Sequence, residues 1–355
     1  MTIGIDIRVL ARGTRTGMEE YALNLLSCLL PLDRSINYRL FYNAFSKKRL
    51  DFPWLALANV KLYNFNIFIK GLDVYFNPHF FAAPLSKNCR KIITFHDLSF
   101  EHFPEFFSWR KRLWHDFLMN TRQEAEKADR IIAVSESTKQ DLINIYNINP
   151  EKIKVIYSGI NDKFKPIKSN NQIRQKYNLP DEFILYFGTI EPRKNLIGLI
   201  KAFELIRHRH KIKLVIAGTK GWLYKNIFKS AQNSKYNKDI IFTGFVEEDD
   251  KPYLYNLASV FVYPSFFEGF GFPPLEAMAC GIPTIVSHNS SLPEVVGAGA
   301  VMIDPYNIDE LAWAMEIALT DEKVRAYLMQ KGIEQAKKFS WQKCAQETLK
   351  VILGK

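Results

Sequence analysis

Residues 263–283 read YPSFFEGFGFPPLEAMACGIP. An apolar run at 260–263 leads into a Gly-Phe-Gly-Phe-Pro-Pro turn, and a helix-like run at 275–280 leads out and stops at Gly281. A strand, a glycine turn and a helix N-terminus in succession form a recurring cradle for phosphorylated ligands, because the free amides of the first helical turn point at the anion. Glu268 and Glu276 flank the turn. Phosphate binding does not need them. A carboxylate beside a helix N-terminus stays ionised and accepts hydrogen bonds from hydroxyl groups. A polyol joined to a phosphate, such as a nucleotide sugar, suits this stretch.

Outward from this stretch, short apolar runs alternate with longer amphipathic ones. Strands are expected at 3–7, 38–42, 74–76, 91–94, 130–134 and 154–156, with helices at 19–30 and 107–128 among them. The pattern then restarts, with strands at 183–187, 213–217, 240–242, 260–263 and 284–286 and helices at 196–206, 251–257, 275–280 and 309–320. Alternation of this kind predicts α/β architecture with parallel sheets covered by helices. Two series predict two doubly wound domains, 1–168 and 169–355, joined through the Lys-, Asn- and Pro-rich stretch 158–180, with the last helix free to pack back on the first domain. Parallel sheets bind ligands beyond the carboxyl ends of their strands, so the loops there and the cleft between domains are where chemistry is expected.

The chain has 355 residues, 47% hydrophobic and 24% charged, which fits a globular protein with two ordinary cores. No apolar stretch approaches the roughly 20 residues of a membrane span, and the N-terminus lacks a signal-peptide pattern. Four scattered cysteines exclude a Cys-x-x-Cys metal site or a disulfide framework, so a cytoplasmic location is expected. Net charge is +11, and residues 1–168 hold 25 Lys and Arg against 17 Asp and Glu. That excess favours an anionic partner. The absence of a long basic block, of zinc-finger spacing and of an RNP-type motif argues against nucleic acid. The sequence WRKRLW at 109–114 reads either as a domain helix with buried tryptophans or as a basic aromatic helix that could lie on an anionic membrane surface.

Four other strand ends carry candidate chemistry. ARGTRTGMEEY after the first strand places Gly17 where amides could meet an anion, but it is not the Gly-x-Gly-x-x-Gly of a dinucleotide site. ITFHDLSF puts His96 at a strand's carboxyl end, where it could donate to a sugar hydroxyl or a leaving-group oxygen. FGTIEPRKNL sets Gly188, Glu191, Arg193 and Lys194 ahead of a helix that Asn195 could cap. Two cations before a helix N-terminus oppose the helix dipole, and a bound diphosphate would account for them. IFTGFVEEDD offers Gly244 and Val246 as backbone on which a base could rest.

Taken in order, GMEEY at 17–21, FHDL at 95–98, YSGIN at 157–161, GTIEPRKN at 188–195 and the Glu268/Glu276 pair make the chain resemble the family 4 retaining glycosyltransferases (glycosyl transferases group 1). The resemblance implies the GT-B fold, two facing Rossmann-like domains. It implies that Arg193 and Lys194 hold the donor diphosphate, that Glu276 binds the ribose and that Glu268 contacts the donor sugar. Backbone amides of Phe270, Gly271 and Phe272 would assist, Gly17 would approach the distal phosphate, and His96 would reach the sugar near its reacting carbon. Where many members carry a second glycine, this chain has Glu19. The implied reaction moves a hexose, mannose first, from a GDP- or UDP-sugar to a hydroxyl of a glycan or polyprenol-linked acceptor in polysaccharide synthesis. It implies no metal and no cofactor beyond the nucleotide sugar, and a cytoplasmic enzyme able to sit peripherally on the inner face of a membrane. A non-catalytic nucleotide-sugar module and a GT-B epimerase or inverting transferase are the alternatives.

Overall fold

The computed structural model describes the chain except for residues 12–16, 43–50, 65–68, 81–82, 84, 86–87, 107–119 and 169. The 109–114 segment therefore lies outside the described residues. Contacts divide the chain into two units. The first takes residues 1–98, 109–159 and 340–355, and the second takes 99–108 and 160–339.

The first unit is built on β1 (Thr2–Asp6), β2 (Asn37–Tyr42), β3 (Val60–Asn64), β4 (Val74–Asn77), β5 (Arg90–Phe95), β6 (Arg130–Ala133) and β7 (Ile153–Val155). Among the described residues they form one parallel sheet in the order β3-β2-β1-β4-β5-β6-β7. The inner strands are apolar on both faces, as a sheet covered by helices requires. Helix Gly17–Leu29 buries Tyr21, Ala22, Leu25, Leu26 and Leu29, a stripe of helical period. The final helix, Trp341–Leu353, packs against it, and Tyr21 meets the Trp341 ring edge-on at 5.9 Å.

The second unit has β8 (Phe183–Phe187), β9 (Lys213–Ala217), β10 (Ile240–Gly244), β11 (Val260–Tyr263), β12 (Thr284–Ser287) and β13 (Val301–Ile303). All pairings are parallel, in the order β10-β9-β8-β11-β12-β13. Helix Leu196–Arg207 shows why the chain reads so clearly here. Leu196, Leu199, Ile200, Phe203 and Ile206 are buried in a single stripe.

Two strands were not expected. β3 is an edge strand with one fully buried residue, and β13 is an edge strand of three residues. β3 carries Lys61 and Asn64 among its five residues, and β13 is apolar but only three residues long, too short a run to mark a strand.

Gly159 ends the first passage of the chain through the first unit. A Cβ placed on it would lie 2.1 Å from the backbone nitrogen of Trp341 and 2.6 Å from the carbonyl carbon of Ser340. Backbone cannot yield as a flexible side chain does. Gly159→Ala is therefore expected to destabilise the first unit by about 1–3 kcal/mol through overpacking. A thermal unfolding midpoint equal to that of the wild type would contradict this reading.

Candidate active site

In the second unit the chain runs from β8 outward through β9 to β10, then returns to place β11 on the other side of β8. The loops after β8 and β11 thus leave the sheet side by side at its topological switch point, the position where such sheets bind ligands. These loops carry Gly188–Asn195 and Pro264–Gly271.

Four charged side chains from the two loops share one buried space. Lys194 Nζ donates to Glu268 Oε1 at 2.6 Å and to the Tyr263 hydroxyl at 2.8 Å. Arg193 Nη1 donates to the Phe267 carbonyl at 2.6 Å and to Glu268 Oε2 at 3.3 Å. Its Nη2 and Nε donate to Glu191 Oε1 at 2.8 and 3.2 Å. The backbone joins the same loops, since Phe266 N donates to the Arg193 carbonyl at 2.9 Å. Beneath lie Tyr186 and Tyr263, stacked at 5.6 Å. The loop after β12 braces the acid. Ser290 Oγ accepts from Glu268 N at 2.9 Å, and Ser291 Oγ donates to the carbonyls of Glu268 and Phe270 at 2.9 and 3.0 Å.

The two cations expected to await a diphosphate are thus already countered by two carboxylates. Glu191, which the sequence alone marks but gives no role, stands two residues before Arg193 on the same turn. Asn195 does not cap the helix with its side chain. It adopts a left-handed conformation, and its Nδ2 donates to the Pro305 carbonyl at 2.6 Å.

Glu276 also differs from expectation. The helix after the glycine turn begins at Phe272, so Glu276 lies beyond the first turn and owes little to the helix dipole. It is buried and accepts from the Tyr255 hydroxyl at 2.7 Å. Burial and the Glu276 carboxylate push the Tyr255 phenol well above its usual value, so it remains a donor. Gly271, at the helix entrance, has φ +103°, and a Cβ there would meet Leu292 at 2.8 Å. The turn therefore requires glycine at this position.

Gly188 stands at the end of β8, where its carbonyl oxygen would lie 2.0 Å from a Cβ on Gly218, after β9. Gly244 ends β10, followed by the exposed ring of Phe245 and by buried Val246.

In the first unit Gly17 is the exposed first residue of its helix, and the loop before it lies outside the described residues. His96 follows β5, edge-on to Tyr21 at 4.8 Å. Its Nε2 lies 2.9 Å from the Pro78 carbonyl. A carbonyl only accepts, so Nε2 carries the proton, and burial lowers the pKa and favours the neutral ring. The expected donor is in this state an acceptor through Nδ1.

Two family models cover the chain. That for "Glycosyltransferase Family 4" matches residues 3–164 and that for "Glycosyl transferases group 1" matches 169–335. "O-antigen chain mannosyltransferase B" of Escherichia coli is 32% identical over 281 residues, 78% of this chain and 73% of the relative. The chain belongs to glycosyltransferase family 4. "Serotype-specific mannosyltransferase WbdA" of Escherichia coli is 38% identical over 64% of this glycosyltransferase, which spans only 29% of that relative's length. Anabaena HepE, solved with UDP-glucose, superposes with a TM-score of 0.74 over 100% of both chains at 18% identity, which supports the GT-B fold. The glycosyltransferase has no helix among its described residues long and apolar enough to cross a membrane.

Electrostatics in the four-charge group follow from burial. Burial raises the Glu268 carboxyl, but Lys194 and Arg193 outweigh it and hold the group below the usual carboxylate range. Burial first, and the neighbouring Arg193 second, push the Lys194 ammonium down. A lowered folded-state carboxyl pKa contributes stability that is complete above the unfolded value of about 4.3 and is lost as pH falls through the folded value. Glu268→Gln should lower stability at pH 7 by about 3 kcal/mol, the cost of breaking a buried pair. It should also flatten the loss of stability below about pH 4.3. Unfolding curves with an unchanged acid slope would count against this ion pair.

Proposed function

We propose that this glycosyltransferase takes a nucleoside diphosphate hexose as donor, GDP-mannose first and UDP-sugars second, and transfers the hexose to a hydroxyl of a glycan or polyprenol-linked acceptor. The family supports transfer with retention, and the mannosyltransferase relative supports the sugar. The observation that carries the donor assignment is the buried group of Glu191, Arg193, Lys194 and Glu268 at the β8/β11 switch point.

In this reading the diphosphate enters against Arg193 and Lys194 and shares them with the carboxylates. Both cations lie within reach of Glu268, so small side-chain movements pass them from carboxylate to phosphate. Glu268, relieved of part of its ion pairing, accepts hydrogen bonds from hydroxyls of the sugar. Backbone amides of Phe270, Gly271 and Phe272, with the Gly188 backbone, line the phosphate and sugar. Glu276 receives the ribose hydroxyls, and the base lies over Gly244 and Val246. For the first unit, Gly17 is assigned a phosphate contact through its backbone, and His96 a sugar hydroxyl that donates to Nδ1.

Bond cleavage between the anomeric carbon and the phosphate leaves negative charge on the departing diphosphate. Two cations fixed in a water-poor space stabilise that charge without reorganisation. The leaving phosphate oxygen takes the proton of the attacking hydroxyl on the same face, which preserves the anomeric configuration. No side-chain nucleophile is required.

Arg193→Ala and Lys194→Ala should each lower turnover by about a hundredfold in a nucleotide-release assay. Normal turnover in both would remove the diphosphate assignment. A thermal-shift comparison of GDP-mannose with UDP-, ADP- and dTDP-hexoses should give its largest stabilisation with GDP-mannose. A larger shift with another donor would replace mannose in the proposal.

A further inference from the structure

The loops that carry Gly17 and His96 lie at the carboxyl edge of the first unit's sheet. At its amino edge, the other end of the same strands, a recess of about 670 Å³ opens. That volume lies within the range of small-molecule sites, roughly 300–1,000 Å³. β5 has six residues, so the two edges are about 20 Å apart.

The recess is lined by Arg90, Arg130, Lys152, Lys154, Lys350 and Lys355, with Glu151 and Glu347 as its carboxylates. Six cations against two carboxylates leave an excess of four positive charges. Arg90 and Arg130 open β5 and β6, Lys152 and Lys154 flank the first residue of β7, and Lys350 and Lys355 come from the end of the final helix and just beyond. Several of these cations are held by backbone. Arg90 Nη1 donates to the Ile352 carbonyl at 3.5 Å, Arg130 Nη1 to the Glu151 carbonyl at 3.3 Å, and Lys152 Nζ to the Glu126 carbonyl at 3.2 Å. A carbonyl fixes a cation's position without neutralising it. Among the described residues none of the six forms a salt bridge.

The negative end of the final helix accounts for Arg90, Lys350 and Lys355. It does not account for Arg130, Lys152 and Lys154, which reach the recess from β6 and from the start of β7. Cations that outnumber the carboxylates beside them repel one another, and an anion relieves that repulsion. We propose that this recess is a second, non-catalytic site, which takes a phosphate-bearing ligand with two or more negative charges. The same chemistry is offered by a soluble diphosphate and by a lipid headgroup that carries two phosphates, such as cardiolipin.

The test uses the full chain and the double variant Lys154→Glu/Lys350→Glu, neither residue being in the donor site. Calorimetric titration with inorganic pyrophosphate should show the variant losing one equivalent that Arg193→Ala/Lys194→Ala retains, with at least about tenfold weaker binding at the recess. Sedimentation with vesicles of cardiolipin and phosphatidylcholine separates the sources. Vesicle binding lost in the variant identifies a headgroup, and pyrophosphate binding without vesicle binding identifies a soluble phosphate. Lys154→Met/Lys350→Met guards against misfolding, with circular dichroism as the check. The proposal is overturned if the wild type binds neither probe, or if a folded variant binds both as the wild type does.

Discussion

Two cations and two carboxylates share a space from which water is largely excluded, and Glu268 pairs with both cations across two different loops. Lys194 and Arg193 come from the loop after β8, and Glu268 comes from the loop after β11. None of the four could be buried alone, because an unpaired charge in such a place costs several kcal/mol. Their pairing therefore ties the loops together, and the loops fix the switch point of the sheet. The group is neutral as it stands. In the proposed reading a diphosphate offers the same cations an alternative set of oxygens.

The rest of the second unit serves this arrangement. Gly188 and Gly218 let the ends of β8 and β9 approach at backbone distance, and Gly271 turns the chain into the helix that carries Glu276. The serines after β12 hold the Glu268 backbone in place. Tyr255 and Tyr263 supply hydroxyls where a buried acid and a buried ammonium need them. The proposed catalysis by electrostatic stabilisation would need groups that are already oriented, and this scaffold holds them in place.

Much of this was legible in the residues. Strands such as Phe183–Phe187 and Val260–Tyr263 are continuous apolar runs, which only a sheet buried on both faces explains. Arg193 and Lys194 stood out because two cations before a helix N-terminus oppose its dipole, and Glu268 because phosphate binding alone does not need it. What was not legible depends on partners far away in sequence. The partner of Glu191 became visible only once Arg193 turned back on it. The state of His96 depends on the Pro78 carbonyl, and the position of Glu276 depends on a helix that starts three residues earlier than its apolar run suggests. β3 and β13 were missed because polar residues interrupt β3 and because β13 is only three residues long.

The most direct test of the central claim is a crystal structure of the protein with a bound nucleoside diphosphate sugar. The account predicts phosphate oxygens within about 3.2 Å of both Lys194 Nζ and the Arg193 guanidinium. It also predicts a sugar hydroxyl on Glu268. A diphosphate bound elsewhere, with Arg193 and Lys194 still paired only to Glu191 and Glu268, would contradict it.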